Sequence, residues 1–146
     1  MKNTGKVIIV LFLFLCCFSL LTAGKNKTYG NVAISEIVSV YDGDTFTVNI
    51  KQYPPIVGEK ISVRIYGVDT PEIKGKTVRE KEMAIQAKEF VEERFKTARV
   101  IELRNLQRDK YFRLLAEVYV DGENLSETLI KQGLGRPYFG NTKQSW

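Results

Sequence analysis

The order of strand and helix patterns between residues 32 and 133 limits the fold more than any other feature of this chain. Apolar residues alternate with polar ones over residues 32–41, 46–50 and 61–66, and each of these segments predicts a half-buried strand. The Asp-Gly-Asp-Thr segment at 42–45 is a turn signal, so the first two strands form a hairpin.

The second half of the chain alternates between helix and strand. A Thr-x-x-Glu capping box at 77–80 begins a helix whose apolar stripe continues to Phe95. Strands are predicted over 100–103 and 114–120, and a short helix over 124–132. Five short antiparallel-type strands with a helix between the third and fourth are typical of an OB-fold. We therefore predict an α+β, mainly β fold: a five-stranded OB-fold barrel with that helix and a short C-terminal helix.

Residues 1–24 have the composition of a secretory signal peptide. Two lysines precede a long uncharged apolar run, and small residues follow it. We predict cleavage after Ala23 or Gly24, so that the mature domain covers residues 25–146 and is secreted or periplasmic. An uncleaved membrane anchor through residues 7–24 stays open as the alternative.

The residue types that are missing exclude several kinds of catalysis. The chain has no histidine, and its two cysteines, Cys16 and Cys17, lie in the predicted leader. A mature domain without either residue type excludes Ser-His-Asp and Cys-His catalysis and nearly every zinc site. Without Lys2 and Lys6 the basic count falls from 22 to 20 against 17 acidic residues, and the net charge falls from +5 to +3. This charge is only a mild bias toward polyanions.

Three separate turns carry charged residues suited to phosphate chemistry. Asp44 lies in the first turn, and Arg64 and Asp69 lie at the end of the third strand. Pro71 bends Glu72 back toward that strand end. The third turn carries arginine and lysine at residues 108–113. Aspartates and a backbone carbonyl are hard ligands suited to calcium, and arginines can bind phosphate oxygens in a forked geometry. Taken singly, each turn is also compatible with solvated surface charge.

These segments resemble the thermonuclease (micrococcal nuclease-like) family. Its three hallmark segments are matched in order at residues 42–45, 64–72 and 109–113, and the resemblance covers about residues 32–139. The Arg-x-x-x-x-Asp-Thr-Pro-Glu element is the specific part, whereas Asp-Gly-Asp-Thr alone is weak. The resemblance implies a calcium-dependent phosphodiesterase on an OB-fold, an endonuclease that attacks DNA and RNA.

The resemblance also implies a role for individual residues. The ligands of the calcium ion (Ca²⁺) would be Asp44, Asp69 and the carbonyl of Thr70. The catalytic set would be Arg64, Glu72 and Arg113. The substrate contacts would be Lys110 and Tyr111 at the terminal phosphate and Tyr138 or Phe139 against a base. For this last pair, aromatic residues packed on the barrel are an equally good interpretation. Glu72 would deprotonate a water for in-line attack, and the products would carry a 3′-phosphate and a 5′-hydroxyl.

Two features depart from the family pattern. Phe112 stands where a small residue is usual, and the segment 51–60 is longer than in compact members. The Pro-Pro pair at 54–55 predicts that this segment is an extended surface loop.

A second functional interpretation stays open beside the nuclease, namely a non-catalytic OB-fold module that binds nucleic acid. Glu72 argues against it, because a binding surface has little use for a carboxylate beside a phosphate. A structural cell-envelope domain is a third possibility. For the nuclease we expect nucleic acid as substrate, a monomer and no protein partner, with membrane association only if the leader is uncleaved.

Overall fold

A computed structural model describes residues 27–140, 142–143 and 145–146. The predicted signal peptide, residues 1–24, lies outside the described residues, and its cleavage stays a prediction. Within the described part of the chain, no helix has the length and apolar character needed to cross a membrane.

The described residues form mainly short strands. The strands are β1 (Val32–Ala33), β2 (Glu36–Val40), β3 (Thr45–Asn49), β4 (Ile61–Ile65), β5 (Gly67–Asp69), β6 (Ile101–Arg108), β7 (Leu114–Val120), β8 (Glu123–Asn124) and β9 (Arg136–Tyr138). The helices are α1 (Pro55–Gly58), α2 (Val78–Thr97) and α3 (Leu125–Lys131), and a 3₁₀ turn covers Lys110–Phe112.

The main sheet has the order β1-β6-β7-β4-β3-β2 and curls into a barrel. Its pairs are antiparallel except for β4 with β7, which is parallel. The barrel is closed where the chain bends between β1, which pairs with β6, and β2, which pairs with β3. The amide of Ile34 donates to Ile101 on β6 at 2.9 Å, and the next amide, of Ser35, donates to Asn49 on β3 at 2.9 Å. The predicted α+β, mainly β OB-fold is confirmed. If β1 and β2 are counted as one bent strand, α2 lies between the third barrel strand, β4, and the fourth, β6.

The core lies inside the barrel and under α2. Alternate residues of β3, β4 and β7 face inward and are fully buried, among them Phe46, Val63 and Ala116. The rings of Phe46 and Phe95 meet edge to face with centroids 4.8 Å apart, so α2 covers one end of the barrel. Burial of each large apolar side chain contributes about 1.5–3 kcal/mol.

The predicted capping box at 77–80 is confirmed, and the short helix α3 also begins at a capping residue, Asn124. Thr77 Oγ1 accepts a hydrogen bond from the amide of Glu80 at 3.0 Å, and Asn124 Oδ1 accepts one from the amide of Ser126 at 2.9 Å. The segment 51–60 differs from its prediction, because Pro55–Gly58 forms a one-turn helix within it. Proline suits the first helical position, where its fixed φ favours the helix and its missing N–H costs nothing.

A small second sheet connects the end of the domain to the turn after β4. Strand β5 pairs antiparallel with β9, which sets Asp69 opposite Arg136 and Gly67 opposite Tyr138. Gly135 lies directly against Val68, where a Cβ atom would clash with the valine side chain. This pairing brings the segment after α3 to the charged turn at residues 69–72.

Candidate active site

The turn between β2 and β3 presents Asp44 toward the end of β4. Gly43 makes this position possible, because an added Cβ would lie 2.7 Å from Ala87 Cβ and 2.9 Å from Thr70 Cγ2. The turn therefore packs closely on both α2 and the segment after β5. Asp44 is buried, and its Oδ2 accepts a hydrogen bond from the amide of Thr70 at 2.9 Å.

Arg64 joins the two aspartates that were predicted as metal ligands. Its guanidinium forms an ion pair with Asp44 Oδ1 and a second with Asp69 Oδ1, the latter at 2.9 Å. Burial is the largest single influence on the pKa of Arg64 and lowers it, but the charges of Asp44 and Asp69 together raise that pKa above its ordinary value. The network holds both carboxylates in fixed positions.

Asp42 belongs to the same cluster and was not among the predicted site residues. Only 4% of its surface is exposed, and its Oδ1 accepts a hydrogen bond from the amide of Asp44 at 3.1 Å. Burial, and after it the charge of Asp44, raises the pKa of Asp42 to about 7. Its place two residues before Asp44 in one tight turn is a sequence signal that would have identified it.

Lys143 is the second residue that the sequence interpretation missed. Its Nζ lies 2.8 Å from Asp69 Oδ1 and 2.9 Å from Glu72 Oε1, so it bridges a predicted metal ligand and the predicted base. Burial lowers the pKa of Lys143, but hydrogen bonds to Asp69 and Glu72 outweigh that effect and raise the pKa. No motif around residue 143 points to this contact.

Arg113 lines the same cleft as Arg64 and Glu72. Its Nε and one terminal nitrogen donate to Asp109 Oδ2 at 2.8 and 2.6 Å. Burial acts to raise the pKa of Asp109, but a hydrogen bond from the Lys110 backbone and the contact with Arg113 lower it. The guanidinium is thus held in place beside a cleft of about 530 Å³.

The cleft brings most of the predicted catalytic and substrate-binding residues together. Those that line it are Arg64, Glu72, Lys110, Arg113 and Tyr138. Tyr138 also lies beside Arg64, whose guanidinium carbon is 5.9 Å from the ring centroid. Phe139 lines the cleft as well and packs edge to face on Tyr66, with ring centroids 5.6 Å apart.

Tyr111 is the predicted substrate contact that does not join this group. It lies at the tip of the 3₁₀ turn, is 90% exposed, and is absent from the described residues that line the cleft. Its φ of 61° places its backbone in the left-handed region, which few residues other than glycine adopt.

Asp44, Asp69 and Thr70 offer a set of donors that fits a hard cation. Carboxylate and carbonyl oxygens are the ligands that calcium prefers. The buried hydroxyl of Thr70 has no hydrogen-bond partner among the described residues, and burial, followed by the charge of Asp44, raises the pKa of Asp42. The described residues contain no group of three or more carboxylate, cysteine or histidine side chains arranged to hold a metal.

The charges of the cleft suit a phosphodiester. Arg64, Lys110 and Arg113 supply cations on its walls, and Glu72 supplies a solvent-accessible carboxylate beside them. Guanidinium groups bind phosphate oxygens, and a carboxylate can take a proton from water.

Comparisons with known proteins relate the chain to nucleases. A family model described as staphylococcal nuclease homologue matches residues 62–145. The chain is 29% identical over 143 positions to the thermonuclease of Staphylococcus hyicus, in an alignment covering 94% of this chain and 81% of that protein. It is 39% identical over 124 positions to endonuclease YncB of Bacillus subtilis (strain 168), covering 82% of this chain but only 54% of the relative. The chain thus spans about half the length of the latter protein.

Proposed function

This chain belongs to the family of staphylococcal nuclease homologues, and from that membership we propose that it is an exported, calcium-dependent endonuclease that hydrolyses the phosphodiester bonds of DNA and RNA. The observation that carries the proposal is the single cleft lined by Arg64, Glu72 and Arg113, with Asp44 and Asp69 forming ion pairs to Arg64. A module that only binds nucleic acid has use for the two arginines but not for Glu72.

In the proposed reaction, Asp44, Asp69 and the carbonyl of Thr70 would hold a calcium ion. When bound, calcium would supply positive charge that stabilises the charged phosphate. Few protein ligands also imply weak binding, with a Kd of about 10⁻⁴ to 10⁻³ M.

Arg64 and Arg113 act on the phosphate itself. Negative charge grows on the phosphorus oxygens as the water attacks, so hydrogen bonds from two guanidinium groups strengthen in the transition state and lower the barrier. Ion pairs to Asp44, Asp69 and Asp109 orient both groups before substrate arrives, which reduces the reorganisation that the reaction requires.

Glu72 is the proposed general base. It lines the cleft and is exposed to solvent, so it can orient a water and take its proton for in-line attack. Lys143 contacts Oε1 of Glu72, so we propose that Oε2 is the oxygen that takes the proton from the water. The bond from phosphorus to the 5′ oxygen breaks as the water oxygen bonds to phosphorus, and a proton from solvent converts the leaving oxygen to a 5′-hydroxyl while the phosphate stays on the 3′ side.

The remaining assignments concern the substrate and the setting of the reaction. Lys110 is assigned to the terminal phosphate and Tyr138 to a base at the cleft, whereas Tyr111 lies outside the cleft and receives no role. For the whole protein we propose a monomer that is secreted or periplasmic, with a membrane-anchored form as the alternative if residues 7–24 are retained.

Cleavage of labelled single-stranded DNA, with calcium and with excess chelator, tests the activity. We expect turnover only with calcium, and full turnover in chelator would refute the metal requirement. Glu72→Gln should lower the single-turnover rate by about 10²- to 10⁴-fold while binding persists, because the base is lost but the cations remain.

A matched control is Glu92→Gln, which changes an exposed carboxylate on α2 that pairs with Lys88 at 3.8 Å. It should cleave at the parental rate. If Glu72→Gln also cleaves at that rate, the assignment of the base is wrong. If the parent binds DNA but never cleaves it with calcium present, the nuclease proposal is refuted and the chain is a non-catalytic nucleic-acid-binding module.

A further inference from the structure

A second concave surface, the aromatic groove, lies beside the cleft at the end of the barrel where β4 and β7 begin. Its volume is about 560 Å³, and apolar and aromatic side chains dominate its lining. The lining residues that carry the argument are Tyr29, Tyr53, Ile56, Val57, Arg108 and Phe112. None of them belongs to the proposed catalytic or metal-binding set.

The groove exposes large apolar side chains to an unusual degree. Ile56 is 90% exposed, Phe112 is 89% exposed, and more than half of Tyr29 is accessible. Single exposed apolar residues are ordinary, but a contiguous patch of them around a concavity marks a binding surface. The one-turn helix Pro55–Gly58 presents Ile56 here, so the long segment 51–60 builds one wall of the groove.

The 3₁₀ turn contributes to the lining of both the aromatic groove and the cleft. Lys110 lines the cleft, and Phe112, two residues later, lines the groove. Tyr111 and Phe112 both have positive φ, of 61° and 60°, a conformation that is uncommon for bulky residues. Both aromatic rings are exposed on this turn.

Cations accompany the aromatic rings of the groove. The guanidinium carbon of Arg108 is 6.0 Å from the centroid of the Phe112 ring, and Lys27 Nζ is 5.2 Å from that of Tyr29. The described residues that line the groove include no carboxylate. Rings flanked by positive charge match a ligand with flat apolar faces and a negative backbone.

We propose that the aromatic groove stacks bases of a single-stranded nucleic acid whose scissile phosphate occupies the cleft. The inference rests on the proposed function and extends its substrate surface to nucleotides outside the cleft. Stacking on aromatic rings tolerates any base, because every base has a flat π-face, but it requires bases that are not stacked in a duplex. The groove therefore favours single strands without selecting a sequence.

Fluorescence anisotropy with labelled oligonucleotides tests the groove without any cleavage. The full chain carrying Glu72→Gln is titrated, with calcium present, against a dinucleotide and a strand of about 12 nucleotides, a length within the usual range for such sites. Phe112→Leu keeps an apolar side chain but removes the ring, and should weaken binding of the longer strand by about 5- to 100-fold. The loss should be much smaller for the dinucleotide.

Two further variants separate stacking from other effects. Phe112→Tyr keeps a ring and should bind the longer strand nearly as the parent does. Ile85→Ala removes an exposed apolar side chain from α2, outside the groove, and should change neither affinity. Phe112 is exposed, so none of its variants should alter the unfolding temperature appreciably.

The proposal is overturned if Phe112→Leu binds both lengths as tightly as its background does, or if it weakens both equally. It is also overturned if Phe112→Leu leaves oligonucleotide affinity unchanged and instead abolishes binding to phosphatidylglycerol vesicles, because the groove would then bind a membrane. The same holds if the variant abolishes a concentration-dependent dimer, because the groove would then bind a second copy of the chain. Absence of cleavage by the parent would refute the nuclease alone, because the anisotropy comparison does not depend on turnover.

Discussion

The raised pKa of the buried Asp42 carboxyl should make the free energy of unfolding depend on pH. Burial beside Asp44 raises its pKa from 3.8 to about 7, which corresponds to proton binding that is tighter by about 4 kcal/mol in the folded state. The folded state therefore binds this proton more tightly than the unfolded chain does. Its contribution to stability is fully present below about pH 4 and is lost as the pH rises through about 7.

The expected effect appears between about pH 5 and about pH 8. Across that interval the titration of Asp42 should lower the free energy of unfolding by about 2–3 kcal/mol. Few other side chains titrate there, because the chain has no histidine and the lowered pKa of Asp109 lies below this window.

Urea denaturation in excess chelator, repeated across this pH interval, measures the effect. Asp42→Asn should show a much flatter pH profile and exceed the parent in stability near pH 8, because asparagine does not titrate yet can still accept the hydrogen bond from the Asp44 amide. Parallel profiles for parent and variant would refute the reasoning. A parent whose stability rises with pH in this window would do the same.

Three other predictions follow from the contacts of single residues. Arg113→Ala should lower both substrate affinity and turnover, the latter by about 10²- to 10³-fold, because it removes a cation from the phosphate; unchanged single-turnover kinetics would contradict this. Lys143→Met should raise calcium affinity several-fold in a calorimetric titration, because the lysine competes for Asp69; weaker calcium binding would oppose it. Phe46→Ala should lower the free energy of unfolding by about 3–5 kcal/mol in urea, since the ring is fully buried against Phe95, and a loss under about 1 kcal/mol would show that the core is packed differently.

The fold was largely predictable because its barrel strands alternate and its helices carry caps. In a strand, successive side chains face opposite sides, so alternation alone distinguishes inward residues such as Val63 from their outward neighbours. Strands β5, β8 and β9 gave no such signal, because two or three residues are too few to show a period. Their pairing depends on tertiary contacts. Helix α1 was missed for a different reason, since paired prolines favour extended backbone unless the second begins a helix.

The site was predictable where a motif fixes residue spacing. The family resemblance is confirmed, and Asp44, Arg64 and Asp69 lie in one hydrogen-bonded network, although their roles stay proposals. Lys143 could not be found in this way, because its contact depends on the path of the chain after β9 and not on a local pattern. Tyr111 was predicted from its place in the motif as a substrate contact. The motif gave no information about the backbone turn on which its ring is exposed.

The pairing of β5 with β9 also affects when the site can form during synthesis. Asp69 lies opposite Arg136, so the strand that carries this carboxylate gains its partner only after almost the whole domain has left the ribosome. Chains are made from the N-terminus at about 5–20 residues per second, and until β9 is made β5 lacks the strand with which it pairs. For the proposed nuclease, which is made next to messenger RNA, this arrangement delays assembly of the site until residues 136–138 have been made.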